Sequence, residues 1–415
     1  MTFEELYNRL LKSSVDGSMT EELNLLRKDG YDPHQLSCLL DPGKHPLVVR
    51  TAQCGCSGEQ KRACQNICPF DALILSGEGN IDVDPSNCVG CSACIDNCKA
   101  KALVGNRDVL AALKAIRAAT TPVYAMIAPA FINQYSEAVT PGKLRAAFKR
   151  IGFSGMVEVA LFADILTLKE ALEFDRNIQT EQDYQLTSCC CPMWIGMIRK
   201  VFSQLMPYVP ASVSPMAACG RAIKQLHPGA ITVFIGPCLA KKAEAREPDL
   251  CDSTDFVLTF QEIQDVFDYA GIDLPNLLED DRDHSSRAGR IYAGSGGVSE
   301  AVRSTVERIN PDRKVRIRTR HADGVPACKQ MLQDILEGKG GANFYEGMGC
   351  VGGCVGGPRS LVSREDGRAS VIRYGADAPY NTPIDNPYVV ALLHQLGLDT
   401  IESLLEKSEI FERNF

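Results

Sequence analysis

The residues that could do chemistry in this sequence are its cysteines. Cys88, Cys91, Cys94 and Cys98 follow the spacing C-x2-C-x2-C-x3-C, in which three thiolates wrap one face of an iron-sulfur cubane and the fourth reaches a neighbouring cluster. Just upstream lie Cys54, Cys56, Cys64 and Cys68, with Pro69 after the last. This group ends on the same C-x3-C-P pattern, while its front half, C-x-C-x7-C, is irregular. Crossed ligation, as in two-cluster ferredoxins, assigns Cys68, Cys88, Cys91 and Cys94 to one 4Fe-4S cluster and Cys54, Cys56, Cys64 and Cys98 to another. Lys99 stands where a proline usually follows the last cysteine, and the irregular spacing also admits a different cluster geometry. Structural zinc is the competing use of such thiols, disfavoured here because zinc knuckles seldom use a tight triple of cysteines.

Three later segments carry a second constellation: Thr187-Ser188-Cys189-Cys190-Cys191-Pro192-Met193-Trp194, Gly236-Pro237-Cys238-Leu239-Ala240-Lys241-Lys242-Ala243-Glu244, and Glu346-Gly347-Met348-Gly349-Cys350-Val351-Gly352-Gly353-Cys354. Four thiolates on three loops can close around one more cubane. The glycine-rich third loop lets backbone approach a bulky inorganic ligand.

These segments resemble, in order, the three signature motifs of the iron-only (FeFe) hydrogenases, and the likeness runs from about Val123 to Gly357. The TSCCCPMW form is similar to the subgroup called group B, which has one cysteine more than the commoner motif. The resemblance implies that Cys191, Cys238, Cys350 and Cys354 hold a cubane. It further implies that Cys354 bridges to a two-iron unit bearing CO, CN and an azadithiolate, the two together forming the H-cluster. Cys190 matches the proton-donating cysteine when the motif is aligned from Pro192 and Trp194; alignment from Thr187 shifts the choice to Cys189 and Cys190.

By the same resemblance Lys241 matches a lysine that donates to a cyanide ligand, and Met348 a methionine beside the two-iron unit. Ala128, Pro129 and Ala130 match an apolar strand end that lines the pocket and offers backbone donors. Glu170 and Glu173 match two glutamates of the proton path. Without the motifs, a lone lysine reads as solvated surface, glutamates at i,i+3 as a solvated helix face, and the strand end as a plain terminus. The implied reaction needs a metal acting as Lewis acid, a nearby base and a proton relay, and a thiol serves as relay because its pKa is movable. Three departures bear on that route. Pro210 replaces a relay serine, Asn177 replaces a surface arginine although Arg176 is adjacent, and Gly236 replaces a methionine that covers the two-iron unit, which predicts a looser pocket.

Positioning these residues requires several kinds of element. Amphipathic patches at Phe3–Leu11 and Glu21–Leu26, with breakers at Asp32-Pro33 and Asp41-Pro42, predict a helical segment over residues 1–50. Residues 51–105 hold too few large apolar side chains for a core of their own and form a ferredoxin-like domain held by metal. Residues 120–380 alternate β-rich and helical runs, with strands expected at Val123–Ile127, Met156–Val159, Ile231–Ile235 and Arg290–Tyr292. The fold class is therefore α+β and α/β: a two-cluster ferredoxin-like domain, then a hydrogenase-like catalytic domain with parallel sheets flanked by helices. Glu279–Arg287 reads as an exposed loop. Residues 381–415 form a C-terminal helical extension, with a helical apolar pattern over Asn386–Leu396.

The 415-residue chain holds 18 cysteines, 45% hydrophobic and 23% charged residues, and 52 acidic against 44 basic residues. That balance argues against a nucleic-acid partner. No basic, apolar leader and no long apolar run is evident, so the chain is expected in the cytoplasm without a membrane span. There the reducing environment favours thiolates held for metal over disulfides. The resemblance implies H2 and protons as reactants, a ferredoxin or similar redox protein as electron partner, and maturation proteins that build the H-cluster. Two other readings stay open: a slow-turnover H2 sensor, and a non-catalytic iron-sulfur assembly or scaffold protein. Cys38, Cys189, Cys219, Cys251 and Cys328 have no assigned role. Buried free thiols are expected for most, with Cys189 and Cys219 near the active-site loops.

Overall fold

Thr2 and Glu5 form a reciprocal capping box that starts the first helix, Phe3–Asp16, and Gly17 ends it at a φ of 89°. The computed structural model describes every residue except Cys189, Asp281, Asp283, Lys407 and Ser408, and the side chains of Ile401 and Glu402. Phe3, Leu6, Tyr7 and Leu10 recur at helical spacing and are buried in the main core. The first helix packs there against the helices Val109–Ala118 and Phe260–Tyr269. The N-terminal helical segment thus shares its core with the rest of the molecule.

Four three-residue strands follow: β1 (Val48–Arg50), β2 (Leu73–Leu75), β3 (Ile81–Val83) and β4 (Leu103–Gly105). They form two antiparallel pairs, β1 with β4 and β2 with β3. Between them lies a small apolar cluster of Val48, Leu73, Ile81, Leu103 and Leu239 mixed with cysteines. A core this small cannot by itself offset the conformational entropy of ordering the segment; Val49, Phe70 and Val89 add contacts to the two larger cores.

The remaining strands are β5 (Val123–Ile127), β6 (Gly155–Glu158), β7 (Gln185–Leu186), β8 (Ile231–Gly236), β9 (Phe256–Thr259), β10 (Thr319–Asp323) and β11 (Phe344–Met348). They form two wholly parallel sheets, ordered β6-β5-β8-β9 and β10-β11-β7. The central strands β5 and β8 are near-continuous apolar runs because helices cover both faces.

One expected strand is absent. Arg290 ends the helix Arg287–Arg290, and Ile291–Ala293 is a 3-10 turn. The apolar pair Ile291-Tyr292 is too short to fix a period, and tertiary contacts decide it. Asp164 accepts hydrogen bonds from the N–H groups of Ser286 and Gly289 at 2.7 and 2.8 Å and from the Ser286 hydroxyl. A Cβ on Gly289 would lie 2.0 Å from the Ala160 carbonyl, so the two helices meet backbone to backbone. These contacts also alter the expected Glu279–Arg287 loop: Leu278 and Glu279 are exposed, but Ser285 and Ser286 are buried, and Asp281 and Asp283 lie outside the described residues.

The helix Ala160–Asn177 is buried almost all round from Ala160 to Phe174, which makes it a central post of the region built on the parallel sheets. The apolar tail pattern forms the helix Pro387–Gln395, capped by Asn386, with Val389 and Leu393 in the core. Among the described residues no helix is long and apolar enough to cross a membrane.

Candidate metal centre

Each loop of the four-thiol set leaves the carboxyl end of a parallel strand. Cys191 follows β7, Cys238 follows β8, Cys350 and Cys354 follow β11, and Ala128 follows β5. Open α/β sheets bind ligands at this edge, where the connections diverge and leave a crevice. Cys191 sits just before Pro192, the first residue of the helix Pro192–Val201, and its Sγ accepts a hydrogen bond from the Gly349 N–H at 3.3 Å. That bond joins the first and third motifs.

The four thiols act on one another. Burial pushes Cys354 up to about 12, with Cys191 and Cys238 adding to the rise. Burial likewise lifts Cys350 well above its ordinary value, followed by Cys238, Cys191 and Cys354, and lifts Cys238 to about 11, with Cys191 next. Four cysteines gathered in this way are an all-thiol donor set, and such a set fits an iron-sulfur cube.

Beside the thiols lies a small, mostly apolar cavity. Ala128, Pro129, Phe234, Tyr292 and Met348 line it, and Cys190, Cys354 and Lys241 supply its polar groups. Lys241 is 8% exposed and its ammonium bonds Glu244 at 2.5 Å. Burial pulls its pKa down, but Glu244 and then Cys238 outweigh that, so it is raised and the group stays charged. Two glycines of the third motif make the packing possible. A Cβ on Gly347 would lie 1.9 Å from the Trp194 ring, and Gly353 turns at a φ of 87° where its Cβ would meet Ser295 and Ala293 backbone.

Residues 121–358, more than half of the chain, match the family described as iron only hydrogenase large subunit, C-terminal domain. This chain belongs to that family. It is 28% identical over 356 residues to the periplasmic Fe hydrogenase large subunit of Nitratidesulfovibrio vulgaris, covering 66% of this chain and 85% of that one. It is 25% identical over 272 residues to cytosolic iron-sulfur assembly component 3 of Bos taurus, covering 54% of this chain and 57% of that protein. Among solved structures, a variant of the FeFe-hydrogenase HydA1 from Chlamydomonas reinhardtii shares the fold with a TM-score of 0.61 at 20% identity, over 74% of this chain and 98% of that one.

For this hydrogenase-family chain the structure brings most of the singled-out residues together. Ala128 and Pro129 line the cavity, but Ala130 is fully buried in the main core and is not part of the lining. Nor does Ala128 offer a free backbone donor: its N–H bonds Ile235 O at 2.9 Å, and Pro129 has no N–H. The looser pocket expected from Gly236 is not found. A Cβ there would lie 2.8 Å from the Phe234 ring, so Phe234 fills that space. Glu170 and Glu173 are buried, at 1% and 8% exposure. Ser188 N–H donates to Glu170 Oε1 at 2.9 Å, which leaves Oε2 without a protein partner. Glu173 pairs with Lys169 at 2.6 Å, and Lys169 also reaches Glu412 at 3.4 Å.

In the ferredoxin-like region, Cys54, Cys56, Cys64 and Cys98 line one cavity of about 200 Å³ together with Lys61 and Lys99. Cys68, Cys88, Cys91 and Cys94 line another with Phe70 and Val89. The second cavity abuts the family centre, since Phe70, Val89, Cys68 and Cys91 share an apolar cluster with Cys191, Trp194 and Cys350. Of the unassigned cysteines, Cys38, Cys219 and Cys328 are buried, Cys251 is exposed, and Cys189 lies outside the described residues. Cys219 belongs to the main core, whereas Cys328 is the one beside the metal centre, 3.3 Å from Met348 O. Sequence reasoning also passed over Glu244 and Lys169. The i,i+3 spacing of Lys241 and Glu244 inside the second motif was the available signal for the first; nothing local marks the second.

Proposed function

We propose that this chain interconverts protons and electrons with molecular hydrogen at an H-cluster. One observation carries the reading: Cys191, Cys238, Cys350 and Cys354 gather beside an apolar cavity into which a thiol, Cys190, and a charged lysine, Lys241, both reach. The four cysteines would hold a 4Fe-4S cube, with Cys354 bridging it to a two-iron unit. When bound, that group supplies an open metal position and an internal base for making or splitting H2.

The chain's own residues do the rest. Lys241, held by Glu244, presents a fixed positive charge to anionic ligands. Phe234, Tyr292 and Met348 exclude water. Cys190 lines the cavity, and its backbone N–H bonds Ser188 O at 2.9 Å, the same residue whose N–H is held by Glu170. The Glu170 carboxylate also acts on the Cys190 thiol through space, and we assign Cys190 to carry the proton between the cavity and Glu170. Burial pushes Glu170 up to about 7, so it can both take and release a proton near neutrality. Beyond it, Glu173, Lys169 and Glu412 lead toward solvent, since the Glu412 side chain is 43% exposed. This exit replaces the one that Pro210 and Asn177 interrupt.

Cys54, Cys56, Cys64 and Cys98 would hold one 4Fe-4S cluster and Cys68, Cys88, Cys91 and Cys94 a second, which when bound would supply one-electron transfer from a ferredoxin-type protein. Maturation proteins supply the two-iron unit. We place the protein in the cytoplasm.

The similarity to an assembly component supports a second reading, a non-catalytic scaffold. A scaffold has no use for a relay thiol and a buried lysine in a dry cavity. Infrared bands of bound CO and CN after co-expression with maturation proteins, followed by hydrogen evolution from reduced dye, test the choice. Absence of the bands in matured protein removes the enzyme reading, and bands without turnover identify a sensor.

A further inference from the structure

Outside the cluster cysteines, the N-terminal segment assembles a second set of metal-type donors. The helix Pro33–Leu40 is capped by Asp32, which accepts from the His34 N–H at 2.8 Å. His34 and Cys38 lie one turn apart on this helix and face the same way. His34 Nε2 is 3.7 Å from Cys38 Sγ. The chain then turns through Pro42–Lys44 and brings His45 back, its ring centroid 5.5 Å from that of His34 at 78°. One donor atom from each of the three lies within 4.8 Å of the others.

We infer that His34, Cys38 and His45 form a binding site for a divalent transition ion, zinc in the first place, distinct from the iron-sulfur sites. Tetrahedral zinc with a sulfur at about 2.3 Å and nitrogens at about 2.0 Å sets its ligand atoms roughly 3.3 to 3.6 Å apart. The His34 to Cys38 separation nearly meets that already, and a shift of His45 by about 1 Å would close the set. Imidazole with thiolate is a donor mixture that suits zinc and disfavours magnesium or calcium. The Ser37 hydroxyl lies 2.8 Å from His45 Nε2 and orients the ring. The Cys38 proton leaves to solvent as the cation binds. Three protein ligands leave a fourth position for water or for Asp41, whose carboxylate acts on His45.

The site is placed to fasten the molecule together. The His45 carbonyl accepts from Arg246 Nη1 at 2.9 Å, and the Pro42 carbonyl accepts from Asn106 and Arg246 at 2.8 and 3.2 Å. Strand β1 begins three residues beyond His45. An ion there ties the N-terminal helices to both the ferredoxin-like and the catalytic parts.

The test uses anaerobically purified holoenzyme, incubated with zinc, desalted, and compared with the His34→Gln variant. His34 is exposed, so the variant folds, and Cys38→Ser supplies a second, near-isosteric change. Wild type should retain about one zinc per chain beyond its iron, with an X-ray absorption shell of one sulfur and two nitrogens. His34→Gln should weaken zinc binding by at least about tenfold while iron content and hydrogen turnover stay unchanged. Cys38→Ser should remove the sulfur from the shell. Failure of wild type to retain zinc, equal retention by His34→Gln, or an all-sulfur shell would each overturn the proposal, the last by placing zinc on cluster cysteines.

Discussion

At the scale of single residues, the centre depends on groups whose ordinary chemistry is shifted by burial. Cys190 and Glu170 are adjacent links in the proposed relay, so they should fail alike. Cys190→Ala and Glu170→Gln should each lower hydrogen evolution by about 10² to 10⁴-fold. Iron content and the infrared bands should stay as in wild type, because neither side chain is among the four cubane ligands. Unaltered turnover in Cys190→Ala would place the relay on Cys189 instead. Asp164 illustrates burial acting on stability. Desolvation pushes it up to about 6 against hydrogen bonds from Ser286, Gly289 and Asn386. The folded chain therefore keeps this proton where the unfolded chain has lost it. The resulting stabilisation is fully present below about pH 4 and is lost as pH rises through about 6. Relative to wild type, Asp164→Asn should thus be at its worst at low pH and recover as pH rises, read from denaturation midpoints at a series of pH values.

At the scale of elements, each ligand loop is anchored by a structural partner. The second motif contains two lysines with opposite tasks. Lys241 faces the cavity, whereas Lys242 is fully buried and bonds both Glu262 oxygens at 3.1 and 3.2 Å, with Asp108 at 3.8 Å. It pins the short helix Ala240–Ala245 to the helix Phe260–Tyr269 and to the start of Val109–Ala118. Lys242→Met takes the cation from the buried Glu262 carboxylate, while Asp108 keeps Arg246 at 3.6 Å, and should cost about 3 to 5 kcal/mol, measured as a fall in unfolding midpoint. The loss of activity should follow the loss of fold, not precede it. In the third motif, Glu346 accepts from the N–H groups of Gly296 and Ser299 at 2.9 and 2.7 Å and so sets the start of the helix Gly297–Ile309. The motif residues that look catalytic in one dimension are therefore divided between the reacting cavity and its support.

At the scale of the whole molecule, the three cysteine groups become neighbours through shared apolar clusters. The cavity of Cys68, Cys88, Cys91 and Cys94 packs against the four-thiol centre, and that of Cys54, Cys56, Cys64 and Cys98 lies beyond it with charged lysines at its rim. Cys94→Ala should remove about four iron atoms per chain and abolish ferredoxin-driven hydrogen evolution, while dye-driven evolution partly survives; equal loss with both donors would argue against this route. The cysteine spacings, the three motifs and the parallel strands Val123–Ile127 and Ile231–Gly236 were legible in the sequence, because thiolate spacing and apolar runs are local properties. Three features were not: the helix at Arg290, the filling of the Gly236 space by Phe234, and the division of labour between Lys241 and Lys242. The first is decided by Asp164 and Ala160, far away in the chain, the second by the turn of the Phe234 ring two residues back on the same strand, and the third by Glu244 on the same short helix set against Glu262 on another. By itself the sequence determined which ligands exist and in what order. Tertiary packing alone decided which of them share a dry space, because burial and mutual charge depend on what the fold places within a few ångströms.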